Sequence, residues 1–295
     1  MKTVQVLMSS YNGEKYIREQ IDSILAQQGV NVKLLVRDDG SKDGTLSILK
    51  DYENKGKLTL IEGNNIGPAK SFFALISKAV DADYYALSDQ DDVWDEDKLT
   101  VAIKKMEIVN NPYVIYSSNT RLVDDNKKFI KNETLKPITT LGSAFVKNYV
   151  TGCTTVFNKN LLLRLQEYCP TESIKCHDWW INLVALSLDG LSIYDETPHI
   201  SYRQHGENVT GAATTFFDKW VNRLKRFANH QYFRNEYASQ ILEHYHDIKM
   251  DQKNLLLKIA NYKNNKLSVL TCKEFKSNSN IDSFLFKALI ILNKA

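Results

Sequence analysis

Cysteine is scarce in this 295-residue chain, and the four present, Cys153, Cys169, Cys176 and Cys272, form no C-x-x-C pair. That spacing excludes a zinc finger and a small disulfide scaffold, and it reads as reduced thiols in a cytosolic protein. Long apolar runs are also missing. The longest, "FLFKALIIL" at 284–292, is shorter than a membrane span and contains a lysine. The opening "MKTVQVLMSSYNGEKY" lacks a signal-peptide pattern, because its short apolar part alternates like a strand. The expectation is a cytoplasmic protein. There is no internal repeat and no low-complexity tract. Net charge is low, +3, but unevenly spread. Residues 216–295 hold fourteen Lys and Arg against seven Asp and Glu, while the rest of the chain holds 24 basic and 28 acidic residues. A basic tail on an acidic body suits an anionic partner for the tail, or simply a lysine-rich solvated surface.

What is present is a strand–helix rhythm. With 43% hydrophobic residues the chain can form one large domain, or one domain plus an appendage. Strands are predicted at 3–10, 32–40, 57–63 and 83–92, alternating with helices at 13–28, 44–55, 68–80 and 96–109. A repeat of about thirty residues per unit implies βαβ crossovers and a mostly parallel sheet. Such sheets bind ligands at the carboxyl ends of their strands. The polar residues collect there: Ser9–Asn12, Asp38–Ser41, Asn64–Gly67 and Asp89–Asp92. The second half is less regular, with strands predicted at 113–123 and 150–158 and helices at 160–169 and 177–190. From 216 onward the pattern is helical.

Six of the nine positions from Asp89 to Asp97 are acidic, directly after the apolar "YYAL". Asp95, Glu96 and Asp97 precede a helix, where the macrodipole favours acids. Asp89 and Asp91 come too early for that role. Oxygen-rich pairs of this kind suit hard divalent cations that also hold phosphate oxygens. In "DDGSKDGT", Asp38 and Asp39 can accept hydrogen bonds from a base or ribose, or can serve an Asx turn, and the residues alone leave both readings open.

"SSYNGEKYI", "VRDDGSKDGT", "NNIGPAKSF" and "LSDQDDVW", in this order, resemble the family 2 inverting glycosyltransferases of the α/β GT-A fold, over roughly residues 3 to 210. "TGCTTVFN", "HDWW" and "YRQHGENVTG" are similar to a bacterial branch with many rhamnosyltransferases of surface-polysaccharide synthesis. The resemblance implies a catalytic domain at 1–212, with a nucleotide-binding half at 1–110 and an acceptor half at 111–212, followed by a helical region at 213–295. It implies a nucleotide-diphosphate sugar as donor, dTDP-rhamnose first and UDP-hexoses next, and a saccharide acceptor, lipid-linked in such pathways. Ser10, Tyr11, Asn12, Asp38, Asp39, Asn65, Gly67, Lys70, Asp89, Gln90, Gly152 and Arg203 would lie at the donor. Asp91, with Asp89 and His205, would hold Mn2+ or Mg2+. Asp178 would be the catalytic base, with His177 standing where relatives often have Glu. Trp179 and Trp180 would stack on the acceptor. On residues alone a helix cap is the stronger reading of Asp178, the base being preferred through the resemblance, and a loop histidine is the alternative for His205.

In the tail, Phe216, Phe217, Trp220, Val221, Leu224 and Phe227 share one helical face, with Lys219, Arg223, Lys225 and Arg226 on the rest. That composition suits peripheral contact with the inner face of the cell membrane. A packed helical subdomain or a homodimer interface is the alternative, and no groove-reading motif points to nucleic acid. Two other functions share part of this pattern. "DQDDV" matches the haloacid-dehalogenase phosphatase pattern, but that class needs it on the first strand and a later Gly-Asp-Gly. A non-catalytic nucleotide-sugar binding protein would keep the pocket but would not need Asp178.

Overall fold

The computed structural model describes residues 1–170, 174–204 and 234–295. Its main sheet has seven strands: β1 (Lys2–Ser10), β2 (Val30–Asp38), β3 (Thr59–Glu62), β4 (Tyr84–Ser88), β6 (Val114–Ser118), β9 (Val156–Asn158) and β10 (Leu191–Asp195). They lie in the order β10-β6-β9-β4-β1-β2-β3. All neighbouring pairs are parallel except those of β9, which runs antiparallel to both β4 and β6. The central strands are apolar on both faces, as a doubly covered parallel sheet requires. Val4 to Met8 of β1 are all buried, and so is every residue of β4.

Strand alternation sends these side chains into two cores. Val4, Val6, Met8, Leu34, Val36 and Ala86 pack with α1 (Ile17–Leu25), α2 (Thr45–Asn54) and α4 (Lys98–Glu107). Leu7, Leu35, Tyr85, Leu87 and Phe157 pack on the opposite face with α3 (Pro68–Lys78), α5 (Leu141–Val146), α6 (Lys159–Glu167) and α7 (His177–Ser187). In α7 every residue from Trp179 to Ser187 is buried. A helix apolar all round belongs inside a core. The later helices, α8 (Arg234–His244), α9 (Met250–Ala260), α10 (Lys266–Leu270) and α11 (Asn280–Ile291), share this second core through Tyr237, Tyr245, Leu256, Ile259, Phe286 and Ile290. The domain boundary expected at 212 lies outside the described residues, as do the apolar stripe of 216–228 and His205. Among the described residues no helix is long and apolar enough to cross a membrane.

The stretch 113–123 is not one strand. It breaks after Ser118, and β7 (Arg121–Val123) enters a second sheet in the order β5-β11-β7-β8, with β5 (Val93–Trp94), β8 (Phe129–Asn132) and β11 (Ile200–Arg203). The break is held by buried Asn119. Its side-chain amide donates to Leu135 O at 3.2 Å and Glu196 O at 2.9 Å, and its Oδ1 accepts from Leu135 N at 3.0 Å and the Tyr194 hydroxyl at 2.9 Å. Likewise 150–158 is a strand only from Val156. Gly152–Thr154 form a 3-10 turn, which brings the segment up to the end of β4.

Candidate active site

The four polar strand ends meet on one edge of the sheet and are tied by hydrogen bonds. Asp39 N donates to Ser10 O at 2.8 Å, and Gly63 N to Asp38 O at 3.0 Å. Asn12 N donates to Ser41 Oγ at 3.0 Å, and Asn12 Oδ1 accepts from Lys42 N at 2.8 Å. Gln90 closes the rim by pairing with the Tyr11 main chain, accepting from its N–H at 2.8 Å and donating to its carbonyl at 3.0 Å.

These bonds change the roles expected of several donor residues. The Asp38 carboxylate accepts from Ser41 N at 2.9 Å, Ser41 Oγ at 2.5 Å and Gly40 N at 3.2 Å, so it organises the turn. Gly40 sits there at φ +80°, and an added Cβ would meet Asn65 N and Gly63 O, each at 3.1 Å. Asp39 pairs with Arg37 and accepts from the main-chain N–H of Ile66 at 3.0 Å and of Gly67 at 2.9 Å. Ser10 is 1% exposed and donates inward to Asp38. The side chains of Ser10, Asp38, Asp39 and Gln90 thus build the loops, and their carboxylates and amides are engaged with the protein. Tyr11, 41% exposed, Asn12 and Asn65 form the accessible surface, with Gly67 and the half-buried Lys70 at the start of α3.

Asp89 and Asp91 are half-buried at the end of β4, and Asp92 is fully buried. Desolvation and the charges of Asp91 and Asp178 push Asp89 up to about 7. Asp92 is also held well above the usual carboxylate range, by burial and by Asp91 and Asp89. Its Oδ1 accepts from Arg203 N at 3.2 Å, and its Oδ2 has no hydrogen-bond partner among the described residues. The buried Lys98 ammonium lies 3.5 Å from the centre of the Trp94 ring. Burial pushes that lysine down to about 7.

Asp89, Asp92 and Cys153 bring one ligand atom each within 4.8 Å of one another. The Cys153 thiol is pushed up by burial and by Asp92, so it stays protonated beside the carboxylates. The donors left for a cation are therefore carboxylate oxygens, the hard donors that suit Mg2+ or Mn2+.

Asp95, Glu96 and Asp97 lead into α4 as expected, but not through side-chain cap bonds. Asp97 occupies the N-cap of α4 without a side-chain cap bond, and Asp95 grips the Arg121 guanidinium through two bonds of 2.9 Å. Arg203 does not reach toward a donor either. It is 3% exposed. Its guanidinium donates to Asp91 O at 2.9 Å, Asp125 O at 2.7 Å and Glu19 Oε2 at 2.6 Å, and stacks over Tyr16. It fixes the main chain of Asp91 from below.

Asp178 stands in the first turn of α7, one residue inside a helix whose N-cap is Cys176. It lies near enough to Asp89 for its charge to act on that carboxyl. Oδ1 accepts from Trp179 N at 2.6 Å, Cys176 Sγ at 2.8 Å and Asn148 Nδ2 at 3.3 Å. His177 stacks on Phe72 with ring centroids 4.0 Å apart, and burial lowers its pKa, keeping the ring neutral. Gly152 fills the gap between the two halves. A Cβ there would lie 2.9 Å from His177 Nε2 and 3.8 Å from Asp178 Cβ. Cys153, next in sequence, faces Asp92. Trp179 and Trp180 are 2% and 1% exposed, packed on Tyr237, Tyr168 and Tyr245. No indole face is left for an acceptor sugar. Sequence reasoning missed Cys176, Asn148 and Lys98. Only Cys176, two positions from Asp178, lay close enough to suggest itself.

A parallel α/β sheet with acidic strand ends facing a carboxylate at a helix start defines a nucleotide-sugar transferase of the GT-A type. The model of the glycosyl transferase family 2 matches residues 5–165. The dTDP-rhamnosyl transferase RfbG of Shigella flexneri is 30% identical over 241 residues, covering 78% of this chain and 81% of that one. The chain belongs to glycosyl transferase family 2. It is also 28% identical over 229 residues, 72% of this chain and 38% of the other, to the poly(ribitol-phosphate) beta-N-acetylglucosaminyltransferase TarS of Staphylococcus aureus. Among solved structures, TarS 1–349 in complex with UDP-GlcNAc matches with a TM-score of 0.57 at 17% identity, covering 99% of this chain and 92% of the other. The mannosyltransferase PcManGT from Pyrobaculum calidifontis, in complex with GDP-Man and Mn2+, matches with a TM-score of 0.55 at 18% identity over 99% and 80%.

Proposed function

We propose that this glycosyltransferase moves a hexosyl group, with inversion, from a nucleoside-diphosphate sugar to a hydroxyl of a saccharide acceptor in surface-polysaccharide synthesis, and that dTDP-rhamnose is its donor. The observation that carries the donor assignment is the similarity to RfbG along most of both chains. The nucleoside lies over Tyr11, Asn12 and Asn65, beside the loops that Asp38 and Asp39 shape. Asp178 takes the proton of the acceptor hydroxyl as that oxygen attacks the anomeric carbon, and the bond from that carbon to the diphosphate oxygen breaks. Asp91 and Asp89 would hold a divalent cation, whose contribution when bound is to neutralise the departing diphosphate.

A thermal-shift panel tests this reading. With Mn2+ or Mg2+ present, dTDP-rhamnose should raise the melting temperature more than UDP-glucose, UDP-GlcNAc or GDP-mannose. At a concentration of about 100 times Kd the gain is about 2.7 kcal/mol. Asp91→Ala should lose the metal-dependent part of the shift. Because a cation must displace the proton that Asp89 retains up to about 7, the metal-dependent shift should also grow from about pH 6 to about pH 8. A larger shift with another donor would overturn the donor assignment. An unchanged shift in Asp91→Ala would overturn the metal assignment.

The tail supports contact with an anionic bilayer. Ile281, Phe284 and Ile291 lie on one stripe of α11, and Phe284 is 70% exposed. Leu292 extends that stripe, Lys287 is exposed on the same helix, and Leu267, 68% exposed, follows Lys266, whose ammonium donates to Ile291 O at 2.7 Å. The protein should co-sediment with vesicles containing phosphatidylglycerol and much less with pure phosphatidylcholine. Phe284→Ser with Ile291→Ser should release it. Equal recovery with both vesicle types, or no change in the double variant, would rule this contact out.

A further inference from the structure

The environment of Asp178 is built from three parts of the chain that are distant in sequence. Asn148 follows α5, Cys176 caps α7, and the phenol of Tyr237 comes from α8. The Asn148 amide has its orientation fixed, because its Oδ1 accepts from Val150 N at 3.1 Å, which turns Nδ2 toward Asp178 Oδ1. That same NH2 group also lies 3.8 Å from Cys176 Sγ. Cys176 N donates to the Tyr237 hydroxyl at 3.0 Å. The carbonyls that end α5 are held as well. Trp179 Nε1 donates to Ala144 O at 2.9 Å, and Arg234 Nε to Phe145 O at 2.6 Å.

Every donor that reaches Asp178 among the described residues reaches the same oxygen, Oδ1. The carboxylate is therefore oriented, and Oδ2 is the oxygen left to receive a proton. The thiol of Cys176 can act as a donor because burial and the neighbouring Asp178 raise its pKa, so it keeps its hydrogen at neutral pH.

Building on the reading of Asp178 as the base, we propose that Cys176 and Asn148 are positioning residues that fix which oxygen of Asp178 takes the acceptor proton. The C-terminal helices are then part of the catalytic apparatus, since Tyr237 and Arg234 hold the two segments that carry these donors. Hydrogen bonds given to an ionised carboxylate favour the charged form, and each is stronger than a neutral one. Losing one should misorient Asp178. The titratable groups facing it are His177 and Cys176 on its own helix, Tyr237 on α8, and Asp89 beyond β4. None of these changes in the variants below except Cys176 itself.

The test uses the full chain with Mn2+ and dTDP-rhamnose, reading release of dTDP with water as acceptor. Cys176→Ala and Asn148→Ala should each lower kcat about tenfold with KM for the donor unchanged. Cys176→Ser should recover most of the rate, since a hydroxyl donates as a thiol does. A purely structural role would lower the melting temperature without a loss confined to kcat and would give no selective rescue by serine. Asp178→Asn separates the two readings. Full activity in Asp178→Asn would remove the base assignment itself. Loss of activity in Asp178→Asn, with parent-like kcat in Cys176→Ala and Asn148→Ala, would overturn this proposal alone. If Cys176→Ala does not fold, Asn148→Ala and Cys176→Ser carry the same comparison.

Discussion

Asp178→Asn is expected to lower glycosyl transfer about 10²- to 10⁴-fold, the range that general-base catalysis supplies, while leaving donor affinity and melting temperature close to those of the parent. The asparagine is isosteric, and its Oδ1 can still accept from Trp179 N, Cys176 Sγ and Asn148 Nδ2. What it cannot do is take a proton at the other position. The effect should therefore fall on kcat with KM for the donor unchanged. An affected KM with intact kcat would point to a binding role. Single-turnover transfer, measured beside a donor-binding titration, distinguishes the two.

Arg203→Met should destabilise the fold by about 3 kcal/mol and weaken metal-dependent donor binding together. The guanidinium satisfies two main-chain carbonyls, Asp91 O and Asp125 O, and the Glu19 carboxylate, from a site that is 3% exposed. Methionine fills much of the volume and none of those acceptors, and acceptors stranded in the interior are costly. Lysine should rescue poorly, since a single ammonium cannot reproduce a planar fork. Urea unfolding gives the stability and the thermal shift gives the binding. A loss under about 0.5 kcal/mol, the size of an ordinary surface substitution, would remove the clamp role.

The pH dependence of that loss has a definite sign. Against the opposing effect of its own partial burial, Lys127 and Arg203 hold Glu19 below the usual carboxylate range. A carboxylate lowered in the folded state contributes stability above its unfolded value and loses it as pH falls through the folded one. The gap between Arg203→Met and the parent should therefore narrow in acid.

The part of this molecule legible in its sequence was the periodic part. Apolar runs such as Val4–Met8 and Tyr84–Leu87, separated by helices that bury one stripe, specify a parallel sheet and put the polar strand ends on one edge. What periodicity could not show was the partner of each polar group. Asp38, Asp39 and Gln90 have the residue types that bind ligands, yet their acceptors and donors are spent on Ser41, Ile66, Gly67 and Tyr11 within the loops. A carboxylate beside glycines satisfies main-chain N–H groups as readily as a base or ribose. Trp179 and Trp180 were misread for a related reason. A two-residue aromatic pair can face solvent, but the apolar residues that follow it commit the whole helix to the core. The break at Asn119 was hidden because both halves of 113–123 are strand-like, and only the tertiary bonds of one amide divide them.

The 3-10 turn at Gly152–Thr154 has one further consequence. Two consecutive residues of it touch opposite halves of the site, Gly152 against His177 and Asp178, and Cys153 against Asp92. The turn therefore ties the start of α7 to the carboxylates that follow β4 through a spacer of fixed length. Bulk added at 152 would press on His177 and Asp178, and bulk added at 153 would press on Asp92. Neither end can be retuned alone, so changes of acceptor or donor preference in this scaffold should arise from the loops around the turn while its length and small size are kept.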